Sequence, residues 1–140
     1  MKVLNTGTEN TVSAIVNEQN TALTMGSGSL DVLATPAVVA LMEKAASELL
    51  TPYLDEGITT VGTEISVKHI SASPIGAEIM AKAVLKEIDG RRYLFEVTAF
   101  DNQGMIAVGE HTRFSVKSES FMQKTNAKLN GWHEFNLLKT

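Results

Sequence analysis

No cysteine occurs anywhere in these 140 residues, so disulfides, thiolate metal sites and cysteine nucleophiles are excluded. The same absence removes any argument for an oxidising compartment. No apolar run reaches the roughly 20 residues of a membrane-spanning helix. The opening stretch MKVLNTGTENT has no apolar segment of the kind a signal peptide carries. The expectation is a cytoplasmic protein with no membrane partner. Neither sign of charge dominates: 12 basic and 16 acidic residues are interspersed and leave a net charge of −4, which offers no nucleic-acid surface. The three histidines, His69, His111 and His133, are too scattered to suggest a metal site by spacing. What remains is an ordinary globular composition, 44% hydrophobic and 20% charged, over a length that fits one domain spanning 1–140.

The longest helical pattern is LATPAVVALMEKAASELL, residues 33–50. Thr35 reads as its N-cap and Pro36 as the first helical residue, where a missing N–H costs nothing. On a helical wheel Val38, Val39, Leu41, Met42, Ala45, Ala46, Leu49 and Leu50 share one apolar arc, faced by Ala37, Ala40, Lys44, Ser47 and Glu48. Glu43 falls at the edge of the buried arc, roughly 20° beyond Leu50. A carboxylate there either reaches back to solvent or is put to use.

Before the helix, Thr11–Val16 reads as a short strand with Val12, Ala14 and Val16 on one face, and Thr21–Met25 as a second extended piece. Gly26-Ser27-Gly28-Ser29 follows, either a plain linker or the border of a pocket that needs close backbone approach. After the helix four strand-like runs succeed one another. In Ile58–His69 the alternating set is Val61, Thr63, Ile65, Val67 and His69, which places His69 among apolar neighbours. A histidine so placed is either a satisfied core group or a working one. Ala77–Ile88 turns Ile79, Ala81, Ala83 and Leu85 to one face, and Arg91–Asp101 does the same with Tyr93, Phe95, Val97 and Ala99. The turns between strands are Ser71–Gly76, Asp89-Gly90 and Asn102-Gln103-Gly104. Met105–Val116 is a last strand with two mixed faces, and alternation leaves its inner face open. Residues 118–140 are polar with scattered Phe121, Trp132 and Phe135, an extension or tail. One long helix and a run of antiparallel strands predict an α+β layer whose exposed sheet edges call for a second protomer.

Six segments in this order, GSGSLDVLATP, LMEKAA, TTVGTEISVKH, SASPIG, DGRRYLFEV and GEHTRFSV, resemble the hotdog-fold thioesterases of the fluoroacetyl-CoA thioesterase-like subgroup. The resemblance spans about residues 12–117. It implies a hotdog fold, in which a curved antiparallel sheet wraps one central helix. It further implies a homodimer, or a dimer of dimers, with active sites at the interface, and hydrolysis of a small acyl-CoA. Position by position, it marks Thr35, Glu43 and His69 as catalytic and Gly62 and Arg113 as substrate-binding. Glu43 would be nucleophile or base for water, His69 would handle protons, Thr35 would orient the carboxylate or water, and N–H groups at the helix start would face the oxyanion. CoA enters as part of the substrate, with no separate cofactor and no metal. Where that subgroup closes its pocket with aromatic residues this chain has Gly26-Ser27-Gly28-Ser29, which implies a more open mouth. The alternative reading is a non-catalytic hotdog domain that binds CoA esters or another small ligand. A dehydratase is disfavoured, because its usual His/acid pattern is not apparent in this chain.

Overall fold

Period-two alternation before and after the long helix produces a five-stranded antiparallel sheet in the computed structural model, which describes residues 3–130. The strands are β1 (Glu9–Ile15), β2 (Ile58–His69), β3 (Glu78–Asp89), β4 (Arg92–Asp101) and β5 (Gly104–Lys117), in the spatial order β1-β3-β4-β5-β2. The helices are α1 (Ala22–Met25), α2 (Thr35–Leu50) and α3 (Ser118–Asn126). None of the described helices is long and apolar enough to cross a membrane.

α2 lies across one sheet face because both surfaces are apolar. Val38, Met42, Ala45, Ala46, Leu49 and Leu50 of the helix are buried, and so are Ile79, Ala81, Ala83 and Leu85 of β3 with Phe95, Val97 and Ala99 of β4. The alanines in this row keep the sheet surface low, so the helix packs onto it closely. Val39 and Leu41 sit half-buried at the margins of the arc. The expected inner faces of β3 and β4 are those observed.

Three expectations are corrected and one open question is answered. Thr21–Met25 is not extended: the Thr21 hydroxyl accepts the Thr24 N–H, α1 forms and Gly26 ends it. One turn of helix is too short for periodicity to reveal. Thr35 is not the N-cap of α2; Ala34 holds that position and Thr35 is already helical, which leaves its hydroxyl free for another partner. In β2 the pairing with β5 shifts between Gly62 and Glu64, so Thr63 is an extra residue in a bulge. The bulge reverses the alternation. Thr60 and Gly62, rather than Val61 and Thr63, share the inner face with Ile65, Val67 and His69. Finally, the inner face of β5 is its polar one. His111 pairs across from Phe95 and Arg113 from Tyr93, and His111, Arg113 and Ser115 are all buried. In the C-terminal stretch Phe121 lies exposed on α3, while Trp132 and Phe135 fall outside the described residues.

Close strand contact demands glycine at one further point. A Cβ on Gly109 of β5 would stand 1.9 Å from the Ser66 carbonyl oxygen of β2. That obstacle is backbone and cannot swing aside. Gly109→Ala should therefore destabilise the fold by about 2–3 kcal/mol, as overpacking does. Urea unfolding measures it, and an unchanged midpoint would contradict the register between β2 and β5.

Candidate active site

Two polar groups stand on the face that α2 shares with the sheet. The first lies at the start of the helix and the end of β2. Thr35 Oγ1 and His69 Nδ1 are 2.8 Å apart and hydrogen-bonded. His69 Nε2 is buried and has no hydrogen-bond partner among the described residues. Leaving such an atom unpaired costs about 1–3 kcal/mol, so its retention calls for an explanation beyond packing. Thr35 and His69 line a cleft of about 260 Å³ whose other walls include Ala22, Ser27, Leu33 and Ala72. Two backbone bonds hold the wall in place, Leu33 N–H to the Ser73 carbonyl at 2.9 Å and Ala34 N–H to the Asn20 carbonyl at 2.9 Å. The helix start itself offers few donors. The Ala37 and Val38 N–H groups turn onto the Ala34 carbonyl, and Pro36 has none.

The second group lies under the middle of the helix. Arg113 donates from Nε to Thr60 Oγ1 at 2.9 Å, from Nη2 to the Thr60 carbonyl at 3.0 Å, and from Nη1 to His111 Nε2 at 3.1 Å. Its Nη1 also lies 3.7 Å from Glu43 Oε2. The Arg113 side chain is 8% exposed and that of Glu43 is 41% exposed, so the cation is sheathed while the carboxylate opens outward. Gly62 completes the arrangement. A Cβ there would come within 2.9 Å of Glu43 Oε2, 3.0 Å of His111 Cε1 and 3.2 Å of Arg113 Nη1. Three functional groups thus converge where residue 62 has no side chain.

The protonation of His111 follows from its partners. Arg113 can only donate, so His111 Nε2 must accept; the Glu64 carbonyl, 2.8 Å from Nδ1, can only accept, so Nδ1 carries the proton. A charged imidazole would set an N–H against the guanidinium. Burial, and then the Arg113 charge, hold the His111 pKa below its ordinary value, against the Glu64 carbonyl and the Glu43 charge, which pull it upward. Burial likewise lowers the pKa of Arg113, with Glu43 opposing.

The residues expected to form one site therefore stand as two groups within a chain. Thr35 meets His69; Glu43 meets Gly62 and Arg113. Eight residues of helix separate Thr35 from Glu43, ~12 Å along the axis. Seven residues of strand separate Gly62 from His69, roughly 20 Å. His111 and Thr60 were not singled out as site residues by sequence reasoning. The signal available was the polar period-two row Gly109, His111, Arg113 and Ser115; for Thr60 the bulge erased any signal. Among the described residues, no group of three or more His, Asp or Glu is placed to hold a metal.

His111 gives the fold a dependence on pH. Between its lowered folded pKa and about 6.5 the unfolded chain binds a proton that the folded chain does not. Its contribution to stability is full above about pH 6.5 and is lost as pH falls through the folded pKa. Urea midpoints should fall between about pH 7.5 and about pH 5, and fall less in His111→Gln. Equal slopes in the two proteins would contradict the neutral, buried imidazole.

With this geometry in place, known proteins supply a family. The fluoroacetyl-CoA-specific thioesterase family matches residues 16–119. Fluoroacetyl-CoA thioesterase from Streptantibioticus cattleyicolor is 37% identical over 98 residues, 70% of each chain. The crystal structure of the fluoroacetyl-CoA thioesterase FlK superposes with a TM-score of 0.86 at 30% identity, covering 91% of this chain and 98% of that one. A thioesterase-superfamily protein from Thermus thermophilus shares the fold, with a TM-score of 0.87 at 22% identity over 96% of this chain and 99% of that one. The helix-on-sheet layer is thus the hotdog fold expected from the sequence, and the chain belongs to the fluoroacetyl-CoA-specific thioesterase family of hotdog thioester hydrolases.

Proposed function

We propose that this protein hydrolyses a small acyl-CoA to the free acid and CoA at a site shared between two copies of the chain, in a cytoplasmic setting. The observation that carries this reading is the unpartnered buried Nε2 of His69, a residue that lines a cleft together with Thr35. Within one chain Glu43 lies ~12 Å or more from that histidine, too far for them to act together. β2 offers a remedy. It is an edge strand of twelve residues, and an exposed edge of that length invites pairing. Antiparallel pairing of two such edges about a two-fold axis near Ser66 would set His69 of one protomer beside the Gly62–Glu64 bulge of its partner. The partner's Glu43 then approaches the Thr35–His69 pair. The assembly is a homodimer, with a dimer of dimers built on the same unit.

In this scheme Glu43 either attacks the thioester carbonyl carbon directly or takes a proton from the water that does. The C–S bond then breaks and CoA leaves, with His69 supplying the proton to the thiolate. On the direct route water cleaves the acyl-glutamate and restores the carboxylate. Thr35 holds the His69 ring through Nδ1 and so aims Nε2. The missing side chain of Gly62 lets the Glu43 carboxylate sit close to the strand, where the Gly62 backbone would border the thioester, and Arg113 steadies the carboxylate as a fixed countercharge. CoA is part of the substrate, and the scheme draws on no separate cofactor. Ala22, Ser27 and Ala72 are small, so the cleft takes acyl groups larger than acetyl.

A screen of short, branched and aromatic acyl-CoAs with a free-thiol readout tests the activity. Hydrolysis of acyl groups larger than acetyl is expected. Strong preference for fluoroacetyl-CoA would overturn the open-cleft reading, and no hydrolysis of any acyl-CoA would favour a domain that only binds CoA esters. On the best substrate Glu43→Gln should lower kcat about a hundredfold or more, and His69→Ala should do the same. The double variant should be little worse than either alone, since the groups act as a unit. Near-normal turnover in a folded Glu43→Gln would refute the carboxylate's role.

A further inference from the structure

We propose that His111 is a positioning residue that sets the Arg113 guanidinium, and through it the Glu43 carboxylate, by bridging Arg113 to the Glu64 carbonyl beside the β2 bulge. The inference rests on the hydrolase reading for its kinetic consequence, though not for its geometry. Each end of the bridge has a definite source. The bulge between Gly62 and Glu64 leaves Thr63 out of the register, and the carbonyl of the next residue, Glu64, lies 2.8 Å from His111 Nδ1. The opposite ring nitrogen accepts from Arg113 Nη1 at 3.1 Å.

Thr60 alone would leave the guanidinium with a hinge. Its hydroxyl and its carbonyl hold Nε and Nη2 and leave Nη1 to other partners. Nη1 is the nitrogen that faces Glu43 Oε2, and His111 is its hydrogen-bond partner. The ring is flanked by Phe95, with centroids 6.2 Å apart and planes 30° apart. His111 is 1% exposed, so bulk water does not compete for these bonds. Its Cε1 is also one of the three atoms that a Cβ at Gly62 would meet. The imidazole is therefore part of the wall against which Glu43 is placed, and it touches no reacting atom in the proposed chemistry.

Two substitutions separate hydrogen bonding from shape. His111→Gln keeps a donor and an acceptor; His111→Phe keeps a ring against Phe95 and supplies neither. With folding checked by thermal melts, His111→Phe should lower kcat about tenfold to a hundredfold with KM little changed, as small misplacements do. His111→Gln should recover most of that loss. A folded His111→Phe with near-normal kcat, or a Gln variant as poor as the Phe variant, would overturn the proposal. Two readouts need no substrate, and the first needs no variant. Imidazole nitrogen NMR of the wild-type protein should show His111 neutral with its proton on Nδ1, and the Arg113 Nε–H should exchange with water more slowly in wild type than in His111→Leu or His111→Phe. A protonated or Nε2–H imidazole, or equal exchange rates, would sink the bridge even if the wild type hydrolysed no acyl-CoA. In that last event the functional reading fails separately.

Discussion

A buried guanidinium governs the middle of this structure. Taking an arginine out of water costs several kcal/mol unless its N–H groups and charge are met. Arg113 is met on three sides, and each partner has a structural consequence. Thr60 can reach Nε and Nη2 only because the β2 bulge turns Thr60, rather than Val61, inward. His111 can accept from Nη1 only while it is neutral with its proton on Nδ1. Glu43, the nearby opposite charge, sits where residue 62 is glycine. A polar strand face under an apolar helix is thus made tolerable by a bulge, a tautomer and a missing side chain.

The second polar pair depends on the first only through the elements that carry both. α2 holds Thr35 in its first turn and Glu43 two turns later; β2 holds Gly62 before its midpoint and His69 at its end. The close seat of the helix on Ala81, Ala83 and Ala99 fixes both elements in one layer. The two groups are therefore rigidly related but separated, and this separation is the ground on which the shared site was proposed. Among the described residues the sheet order leaves β2 at an edge, and β2 bears a residue of each group.

Much of this was legible in the amino-acid sequence, and the failures have physical causes. The bounds of β2 and the inner faces of β3 and β4 could be read from alternation because each buries one apolar row. The unusual position of Glu43 could be read from the wheel. Alternation failed in the first half of β2, because the one extra residue at Thr63 reverses the facing of everything before it. It failed in β5 because the inward row is Ala107, Gly109, His111, Arg113 and Ser115, which apolarity cannot identify. The role of Thr35 was half visible. A threonine before a proline suggests a cap, yet the helix starts one residue earlier and the hydroxyl turns to His69, 34 positions away in the chain. Long-range pairings of that kind leave no local pattern.

The central claim is that the Thr35–His69 pair of one protomer works with the partner's Glu43. Mixing two inactive variants, Glu43→Gln and His69→Ala, after co-refolding or co-expression tests it most directly. In each mixed dimer a shared site retains an intact His69 from one chain and an intact Glu43 from the other, while the second site lacks both. Random pairing then restores about a quarter of wild-type activity to the mixture. If each chain completed its own site, every site in the mixture would lack one group. The mixture would then stay as inactive as its components, and the shared site would be ruled out.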